Sequence, residues 1–311
     1  MPKILTVTFS PCIDKSTSVA ALIPEKKLKC RPPVYEPGGG GINVARAIHK
    51  LGGNATAIYP AGGYTGKFFN ELLSHEGVPA VVIETKSHTR ENLVVLDEST
   101  NLQYRFGMPG SPLTGTEWQQ CLETIENSTD TEFIIASGSL PPGVPVSIFA
   151  QLAGIAKRKK AKFIADTSGE ALKEAAKAGV YLLKPNLGEL SSLADKNEIP
   201  VESVEEIAGQ IVRDGYCEVL VVSLGAGGAI LVTKDKIYHS IPPLVKRLST
   251  VGAGDSMVAG LIMALAAGKQ MQEVLDYGVA CGTAATMNPA TGLCKLEDVL
   301  QLYRRMRGPV D

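Results

Sequence analysis

The sequence predicts an α/β fold with a doubly covered, mostly parallel sheet. Short, β-branched apolar runs alternate with helical segments along most of the 311 residues. Apolar runs of this kind are typical of strands buried on both faces, as in parallel sheets covered by helices. Two stretches, at about 15–36 and 88–107, are richer in charge and in alternation. These two stretches predict strands that lie outside the main sheet.

The elements are predicted in chain order. The first strand lies within residues 1–9, a β-branched run that is too short for a signal peptide. Residues 41–51 predict a helix, because apolar side chains recur on one helical face and two glycines end the run. Residues 67–75 predict a second helix, and 257–267 predict an apolar helix that Gly268 ends. Further buried strands are predicted at 55–59, 80–84, 132–136, 162–166, 180–183 and 219–223.

The two inserts predict a small sheet that caps the main one. Residues 92–97 and 102–106 have the pattern of a hairpin. An ordinary antiparallel edge of the main sheet is the alternative, but two inserts near the start of an α/β chain often form a lid. We therefore expect a single domain over residues 1–311, with lid inserts at about 15–36 and 88–107.

The composition argues against several classes of protein. Hydrophobic residues make up 44% of the chain and the formal net charge is −1, so no nucleic-acid or membrane partner is expected. The longest apolar run, 257–267, is too short to span a bilayer. The six cysteines contain no C-x-x-C pair and the four histidines stand apart, which favours reduced thiols over a disulfide or zinc framework. We expect a cytoplasmic protein.

Residues 249–256 form the stretch best suited to chemistry. Gly252 and Gly254 flank a small residue, so the backbone can turn tightly and leave N–H groups uncovered before the apolar helix. The helix start adds unpaired N–H groups and a partial positive charge, which suit a phosphoryl group. Asp255, at the same place, can accept a proton from an attacking hydroxyl. The alternative role of Asp255 is that of a helix N-cap.

A second glycine run, residues 38–41, precedes the predicted helix at 41–51 and is followed by Asn43. Four glycines sacrifice backbone entropy, which indicates that something must come close, and a ligand-facing turn is favoured over a flexible loop. Asp14 follows the first predicted strand. Because ligands of parallel sheets lie beyond the carboxyl ends of strands, Asp14 can accept hydrogen bonds from sugar hydroxyls. A turn or cap aspartate is the alternative.

Cationic and hydroxyl side chains provide candidates for binding a phosphate. Arg90 enters the predicted hairpin and can grip a phosphate with two hydrogen bonds. Lys27 and Lys29 can add positive charge from the first insert. A solvated surface position is the alternative for all three cations. Residues 137–143 follow a predicted strand, so their serine hydroxyls can face the same crevice.

Two further turns follow predicted strands. Asn186 and Glu189 are three residues apart, so a helix beginning there places an amide oxygen and a carboxylate on one face, which suits a hydrated Mg²⁺ ion. A capping box is the competing interpretation. Residues 223–228 form a glycine-rich turn between two strands. No helix follows this turn, but it can still let a nucleotide lie against bare backbone.

Together these residues resemble the ribokinase-type sugar kinases, also called the phosphofructokinase B family. The late family motif corresponds to residues 249–256, and the early one to the glycine run with Asn43-Val44-Ala45-Arg46-Ala47. The resemblance extends over essentially the whole chain and includes Lys184-Pro185-Asn186 and Ser223-Leu224-Gly225. It implies a ribokinase-like fold with a small β-sheet lid, and phosphoryl transfer from ATP to a sugar hydroxyl.

The resemblance also implies a role for each candidate residue. Asp255 would be the general base, and the backbone of Gly252, Ala253 and Gly254 would form the anion hole. The residues implied for the sugar phosphate are Asp14, Lys27, Gly38, Gly39, Gly40, Asn43, Arg90 and Ser139. The residues implied for ATP are Lys184, Asn186, Ser223, Gly225, Gly228, Val279 and Thr283. The residues implied for metals are Asn186 and Glu189 for Mg²⁺ through water, and Ser249, Val251, Ala285, Pro289 and Thr291 for K⁺.

Within the family the chain is most similar to the branch that acts on fructose 6-phosphate. Segments 36–48, 89–93, 104–110 and 137–144 carry this likeness. Sister branches acting on fructose 1-phosphate or tagatose 6-phosphate usually have Gly-Gly-Lys-Gly where this chain has only glycine. The resemblance therefore implies glycolytic phosphorylation of fructose 6-phosphate at its 1-hydroxyl, in a homodimer that pairs through the lid sheets. Another sugar-phosphate kinase of the same family is the alternative.

Overall fold

The structure is a computed structural model that describes residues 3–289 and 291–308. Within these ranges, strands and α-helices alternate as the sequence predicts. The strands are β1 (Lys3–Val7), β2 (Cys12–Val19), β3 (Val34–Gly38), β4 (Ala55–Gly62), β5 (Ala80–Thr85), β6 (Arg90–Asp97), β7 (Leu102–Phe106), β8 (Thr131–Ser137), β9 (Lys162–Asp166), β10 (Val180–Leu183), β11 (Cys217–Ser223), β12 (Ala229–Val232) and β13 (Ile237–Ser240). The helices are α1 (Gly40–Lys50), α2 (Gly63–His75), α3 (Gly115–Glu126), α4 (Ile148–Lys159), α5 (Gly169–Lys177), α6 (Leu187–Leu193), α7 (Val204–Arg213), α8 (Ala253–Ala266), α9 (Met271–Thr286) and α10 (Leu296–Arg307).

The main sheet contains nine of the described strands, in the order β13-β12-β11-β10-β9-β8-β1-β4-β5. The strands from β11 to β5 run parallel to one another, and β12 and β13 add an antiparallel edge. After β1 the chain builds toward β5, and after β8 it builds toward the opposite edge. The strand order therefore reverses between β1 and β8. Ligands of such sheets bind beyond the carboxyl ends of the strands near this reversal.

Helices cover both faces of the main sheet. Ile135 and Val221 pack in one apolar cluster with α1, α8 and α9, whereas Ile134 and Val222 pack in the other with α3, α4 and α7. Because successive residues of a strand face opposite clusters, the strand sequences are apolar without alternation. No helix among the described residues is both long and apolar enough to cross a bilayer.

The small sheet has the order β3-β2-β6-β7 and is separate from the main sheet. Strands β2 and β6 are parallel, and each pairs antiparallel with its outer neighbour. Both predicted inserts thus contribute to one small sheet, and the alternative of an edge of the main sheet is wrong. The first insert is longer than predicted, because β2 begins at Cys12 and β3 ends at Gly38. Asp14 consequently lies inside a strand of the small sheet and not in a turn after the first strand.

Two helices begin earlier than predicted, and part of the predicted first strand lies outside the described residues. Helix α2 begins at Gly63 and α8 at Ala253. The sequence does not predict these starts, because glycine is a poor helix former and occurs at both of them. Asp255 is therefore the third residue of α8 and not its N-cap, which is Gly252. The predicted first strand is observed as β1, and residues 1 and 2 lie outside the described residues.

Candidate active site

Asp255 lies half-buried in the first turn of α8, beside the amides that begin this helix. Its Oδ2 accepts a hydrogen bond of 2.9 Å from Nδ2 of Asn43 on α1. The turn before α8 requires glycine, because Gly252 has a φ of 73° and a β-carbon there would lie 2.7 Å from Cδ2 of Leu293. The tight turn therefore holds the Asp255 carboxylate and the uncovered helix amides side by side.

The pKa of Asp255 is raised to about 7. Burial is the largest cause, and the negative charges of Asp166 and Asp14 act in the same direction. The hydrogen bond from Asn43 and the positive charge of Lys184 oppose this shift. A carboxylate whose pKa lies near neutral pH is suited to accept a proton in a reaction.

A cavity of about 440 Å³ opens beside the N-terminus of α8. Its walls are the end of β11 with the following turn, the segment 242–250, the first turn of α8, and α9. Cavities of this size are typical of small-molecule sites. Of the residues singled out in the sequence, the cavity is lined by Ser223, Gly225, Gly228, Ala253, Gly254, Val279 and Thr283. The fold thus brings most of the predicted nucleotide residues to one cavity.

The glycine-rich turn after β11 forms one wall of this cavity. Gly225 has a φ of 60°, and a β-carbon there would have no atom within 4 Å. Gly228 has a φ of 88°, and a β-carbon there would lie 3.0 Å from the Cα of Ile241. Gly225 therefore keeps the wall open, whereas Gly228 lets the next segment pass. The lining segment 242–247 is not predicted from the sequence, because its consecutive prolines mark only an irregular stretch.

Lys184 and Asp166 form a buried ion pair beside the cavity, with 3.1 Å between Nζ and Oδ1. Burial acts to lower the pKa of Lys184, but the charge and hydrogen bond of Asp166 outweigh it, and the pKa lies above its usual value. A β-carbon at Gly254 would be 3.5 Å from this ammonium. Asp166 also accepts a hydrogen bond from Ser137. Asp166 is not among the predicted site residues, although its position at the end of a buried strand is a signal that could have identified it.

Asn186 and Glu189 form a capping box at the start of α6. Oδ1 of Asn186 accepts from the Glu189 amide, and Oε2 of Glu189 accepts from the Asn186 amide, both at 2.9 Å. The capping interpretation is thus confirmed. Burial raises the pKa of Glu189, although the Asn186 amide and Lys184 oppose the shift. No cluster of three or more His, Cys, Asp or Glu side chains able to hold a metal occurs in residues 3–289 and 291–308.

Several of the residues predicted for the sugar phosphate meet where the small sheet faces α1. Asp14 is buried and accepts hydrogen bonds from Nδ2 of Asn92, at 3.0 Å, and from the thiol of Cys12. Burial raises the pKa of Asp14, and these two hydrogen bonds oppose the shift. Gly38 lies against Asp14, since a β-carbon at Gly38 would be 2.7 Å from its Cγ. Asp14 and the glycine run therefore share one wall.

Arg90 stands at the start of β6, next to this wall. Its Nη1 donates to the Met108 carbonyl at 2.8 Å, and its Nη2 donates to the Ser10 carbonyl at 3.0 Å. Its Nε is buried and has no hydrogen-bond partner in the described part of the chain. The two carbonyls anchor the guanidinium to the ends of β1 and β7.

The glycine run is approached closely by the protein itself. A β-carbon at Gly40 would lie 2.7 Å from the Gly138 nitrogen, and one at Gly41 would lie 2.6 Å from Oγ1 of Thr8. Gly39 has a φ of 111°, a conformation that favours glycine. The glycines are therefore needed for α1 to pack closely against the ends of β1 and β8. This requirement holds whether or not their amides also contact a ligand.

Two predicted sugar-phosphate residues are exposed. Ser139 comes two residues after the end of β8 and follows Gly138, whose nitrogen lies against Gly40. Lys27 lies on the exposed segment between β2 and β3. No hydrogen bond or ion pair of the Lys27 side chain occurs among the described residues. The fold of a single chain therefore does not join Lys27 to the other candidates.

The residues predicted for K⁺ come from two segments that the backbone joins. The amides of Leu248 and Ser249 donate to the Thr286 carbonyl at 2.8 and 3.3 Å, which brings the segment before α8 to the end of α9. Thr291 donates to Glu36 from its amide and its hydroxyl. Val251 follows Ser249 in the first segment, and Ala285 and Pro289 belong to the second. Ala290, between Pro289 and Thr291, lies outside the described residues.

The chain matches one protein family along most of its length. The model of the pfkB family carbohydrate kinases matches residues 7–298, which include the small sheet, the main sheet from the last residue of β1 onward, and the turn before α8. The chain belongs to this family. The sequence-based assignment to the ribokinase-type sugar kinases is confirmed.

Several curated relatives in the pfkB family are similar over nearly their whole length. ATP-dependent 6-phosphofructokinase isozyme 2 of Escherichia coli (strain K12) is 44% identical over 97% of this chain and 98% of its own. The enzyme of the same name from Mycobacterium tuberculosis is 39% identical over 100% of this chain and 91% of its own. The 1-phosphofructokinase of Bacillus subtilis (strain 168) is 28% identical over 93% of this chain and 94% of its own.

Solved structures of the E. coli phosphofructokinase-2 superpose closely on this chain. Its complex with potassium has a TM-score of 0.94 at 44% identity and covers 99% of this chain and 100% of that one. Its complex with substrates and products has a TM-score of 0.95 at 44% identity, over 98% and 100% of the two chains. Its tetrameric inhibited form has a TM-score of 0.93 at 43% identity, over 99% and 100%. The predicted ribokinase-like fold is therefore confirmed.

Proposed function

We propose that this chain is an ATP-dependent 6-phosphofructokinase, which phosphorylates fructose 6-phosphate at its 1-hydroxyl to give fructose 1,6-bisphosphate and ADP. The observation that carries the proposal is the position of Asp255. It follows Gly254, which lines the large cavity, and it is bonded to Asn43, on the helix that begins in the glycine run. A base between a nucleotide cavity and a sugar wall is what phosphoryl transfer requires. The two 6-phosphofructokinase relatives support this choice of substrate.

The proposed reaction requires a base and charge stabilisation. Asp255 takes the proton of the 1-hydroxyl while the hydroxyl oxygen forms a bond to the γ-phosphorus of ATP. The bond from that phosphorus to the β–γ bridging oxygen breaks, and ADP leaves with the bond's electron pair. The amides of Gly252, Ala253 and Gly254 stabilise the negative charge on the transferred group. Lys184, whose ammonium lies beside Gly254, adds a positive charge to the same place.

The sugar phosphate is proposed to bind between the small sheet and the N-terminus of α1. Asp14 accepts hydrogen bonds from sugar hydroxyls, and Asn43 orients the sugar next to Asp255. Arg90 supplies positive charge for the 6-phosphate, and its buried, unpartnered Nε supports a polar ligand nearby. The remaining proposed contacts are the amides of Gly38, Gly39 and Gly40, the hydroxyl of Ser139 and the ammonium of Lys27.

ATP is proposed to occupy the cavity beside α8. The adenine lies near Val279 and Thr283, and the glycine-rich turn after β11 contacts the nucleotide through its backbone. Asn186 lies beside this turn, because it forms an isolated parallel bridge with Ser223. The proposed nucleotide residues are Lys184, Asn186, Ser223, Gly225, Gly228, Val279 and Thr283.

Two metal ions are part of the proposal. Mg²⁺ neutralises charge on the ATP phosphates when bound, and the Asn186–Glu189 pair fits an ion held through water, because the described capping bonds occupy only Oε2 of the Glu189 carboxylate. For K⁺, an all-oxygen donor set drawn from Ser249, Val251, Ala285, Pro289 and Thr291 fits a hard cation. The potassium complex of the E. coli relative supports this second site.

The chain is proposed to be one kinase domain, residues 1–311, with the small sheet as its lid. We further propose that it forms a homodimer through the outer face of that sheet. Leu102, Tyr104 and Phe106 alternate along β7 and are 59%, 43% and 46% exposed. An alternating row of large apolar side chains on one face of a sheet is typical of a protein interface. The tetrameric form of the E. coli relative supports self-association.

The lack of a side chain at position 40 supports fructose 6-phosphate over the sister substrates. The sister branches usually carry a lysine in the glycine run, whereas a β-carbon at Gly40 would lie 2.7 Å from the Gly138 nitrogen. A lysine at this position would require the end of β8 to move. The present geometry therefore favours the branch without that lysine.

An ADP-release assay across a panel of sugar phosphates tests the proposed function. We expect kcat/KM for fructose 6-phosphate to exceed that for tagatose 6-phosphate and fructose 1-phosphate by about tenfold or more. The Asp255→Asn variant, purified in the same way, measures any contaminating kinase. A higher kcat/KM for a sister substrate would overturn the proposed specificity. A failure to release ADP with any sugar phosphate would overturn the assignment as a kinase.

A further inference from the structure

Arg46, on the buried face of α1, connects Asn43 of the candidate active site to Glu76, which lies outside the site. Its side chain is 2% exposed, and its Nη2 and Nε bond the carboxylate of Glu76 at 2.6 and 2.9 Å. Its Nη1 donates to the Pro37 carbonyl at 2.7 Å and to Oδ1 of Asn43 at 3.2 Å. The guanidinium therefore reaches the residue that holds Asp255.

The bond from Arg46 determines which way the Asn43 amide faces. A side-chain amide has one accepting end and one donating end. With Oδ1 bonded to Arg46, Nδ2 points at Asp255 and donates to its Oδ2 at 2.9 Å. The reversed amide would place its NH₂ against the guanidinium and its oxygen against the carboxylate. Both contacts would then be repulsive, so Arg46 selects a single orientation.

We propose that Arg46 is a positioning residue for phosphoryl transfer, which orients the Asn43 amide and through it the Asp255 carboxylate. This inference rests on the proposed function, in which Asp255 is the base. A base must be held within hydrogen-bond reach of the proton that it abstracts, and small misplacements reduce turnover strongly. The bonds of the Arg46 guanidinium to the Pro37 carbonyl and to Oδ1 of Asn43 supply that constraint from outside the site.

The same guanidinium extends the constraint to the segment after α9. Its Nη2 lies 3.5 Å from Oε1 of Glu36, and Oε2 of Glu36 accepts hydrogen bonds from the amide and hydroxyl of Thr291. The Thr291 carbonyl is in turn about 4.0 Å from a β-carbon built at Gly252. Arg46 thus joins the glycine run before α1 to the segment behind the turn that begins α8.

A purely structural role for Arg46 predicts different behaviour. Buried ion pairs between arginine and carboxylates often serve only packing, and breaking one destabilises the whole chain. In that case substitutions at Arg46 and Glu76 would affect stability alike and would leave the catalytic pH dependence unchanged. A positioning role instead predicts an effect that depends on Asn43.

A double-mutant cycle with Arg46→Lys and Asn43→Ala tests the proposal. Lysine keeps the charge but lacks the planar fork needed to bond Glu76 and Asn43 together. We expect Arg46→Lys to lower kcat by about 10- to 100-fold in the wild-type background. In the Asn43→Ala background the same substitution should change kcat by less than about twofold, because the residue through which it acts is absent.

The pH dependence of kcat provides a second readout. The acid limb should move to higher pH in Arg46→Lys, by about half a unit or more, because Asp255 loses a hydrogen bond that favours its ionised form. The other groups that act on Asp255 are Asp166, Lys184 and Asp14, with the Cys12 thiol next to Asp14. Lysine keeps the positive charge at position 46, which also acts on Asp14, and the substitution alters no other group of this set.

Two controls separate positioning from folding. Glu76→Gln weakens the same ion pair without touching Asn43, so it should lower the melting temperature while leaving kcat and the acid limb nearly unchanged. Arg158→Lys changes an exposed ion pair with Glu126, and it should affect neither the melting temperature nor kcat. Two outcomes would overturn the role of Arg46. One is that Arg46→Lys and Asn43→Ala reduce kcat additively, and the other is that Glu76→Gln reduces kcat as much as Arg46→Lys does. An inactive wild-type chain would instead overturn the proposed function on which this role depends.

Discussion

Asp255 and Asp166 both lie at the carboxyl edge of the sheet, but their partners differ. Asp166 is paired with the ammonium of Lys184 at 3.1 Å, whereas Asp255 accepts a hydrogen bond from the neutral amide of Asn43. Burial without a direct cationic partner raises the pKa of Asp255 to about 7. Asp255 is therefore the carboxylate that can exchange a proton near neutral pH.

Asp255→Asn should remove activity and stabilise the chain at the same time. Loss of the base should reduce kcat by about 10²- to 10⁴-fold with little change in sugar binding. Because the pKa of Asp255 is raised in the folded state, the wild type loses stability as the pH rises from about 4 to about 7. The variant lacks this loss and should be more stable by about 1–3 kcal/mol at pH 8, with a smaller difference at pH 5.

Denaturant unfolding at the two pH values and steady-state kinetics measure both effects. Asp235→Asn is the matched control, because it removes the same charge from an exposed turn between β12 and β13. It should change neither turnover nor the dependence of stability on pH. Near-normal turnover in Asp255→Asn would contradict the assignment of the base, and a stability difference independent of pH would contradict the raised pKa.

At the scale of elements, the N-termini of α1, α6 and α8 are built by different local chemistry. Helix α1 begins at Gly40, and α8 follows its N-cap Gly252. Glycine allows the close approach at Gly40 and Gly41 and the positive φ at Gly252. Helix α6 begins with the capping box of Asn186 and Glu189. The first two helix starts have no side-chain cap, whereas the capping box of the third satisfies its own amides.

Asn186→Ala and Thr114→Ala distinguish capping from a contribution to Mg²⁺ binding. Thr114 forms the same kind of capping box with Glu117 at α3. Each substitution should lower the free energy of unfolding by about 1 kcal/mol, because each removes a cap. Only Asn186→Ala should also raise the Mg²⁺ concentration needed for half-maximal activity. Equal Mg²⁺ dependence in the two variants would leave Asn186 with capping alone and contradict the proposed metal role.

At the scale of the whole molecule, the small sheet presents two chemically different faces. Nη2 of Arg105 donates to the Thr250 hydroxyl at 3.1 Å, so the face that contains Arg105 looks toward the turn before α8. Strand neighbours point to opposite faces, and Leu102, Tyr104 and Phe106 therefore point outward. The same strand thus closes over the cleft on one side and exposes an apolar row on the other.

Leu102→Glu should weaken the proposed homodimer. A charge in an apolar interface loses its hydration, so self-association should weaken by about tenfold or more. Val201→Glu is the matched control, since Val201 is 61% exposed and Leu102 is 59% exposed. Analytical ultracentrifugation should give twice the 32.9 kDa chain mass for the wild type and the control. A wild-type chain that sediments as a monomer, or a Leu102→Glu variant that dimerises normally, would contradict this interface.

Much of this protein follows from local sequence patterns. Buried strands such as Lys162–Asp166 and Val180–Leu183 are predicted with their observed ends, because a strand covered on both faces must be apolar throughout. The glycines before α8 and the carboxylate among its first residues are local features too, so the sequence also indicates where phosphoryl transfer chemistry is possible. Helix starts hidden by glycine, as at Gly63, are the local features that the pattern misses.

The tertiary structure alone decides which distant residues meet and what their environment does to them. Asn43 and Asp255 are 212 positions apart, and their hydrogen bond depends on how α1 and α8 pack. The raised pKa of Asp255, the pairing of Asp166 with Lys184 and the constraint from Arg46 all arise from burial. Burial depends on which surfaces the fold brings together, and no window of sequence contains that information.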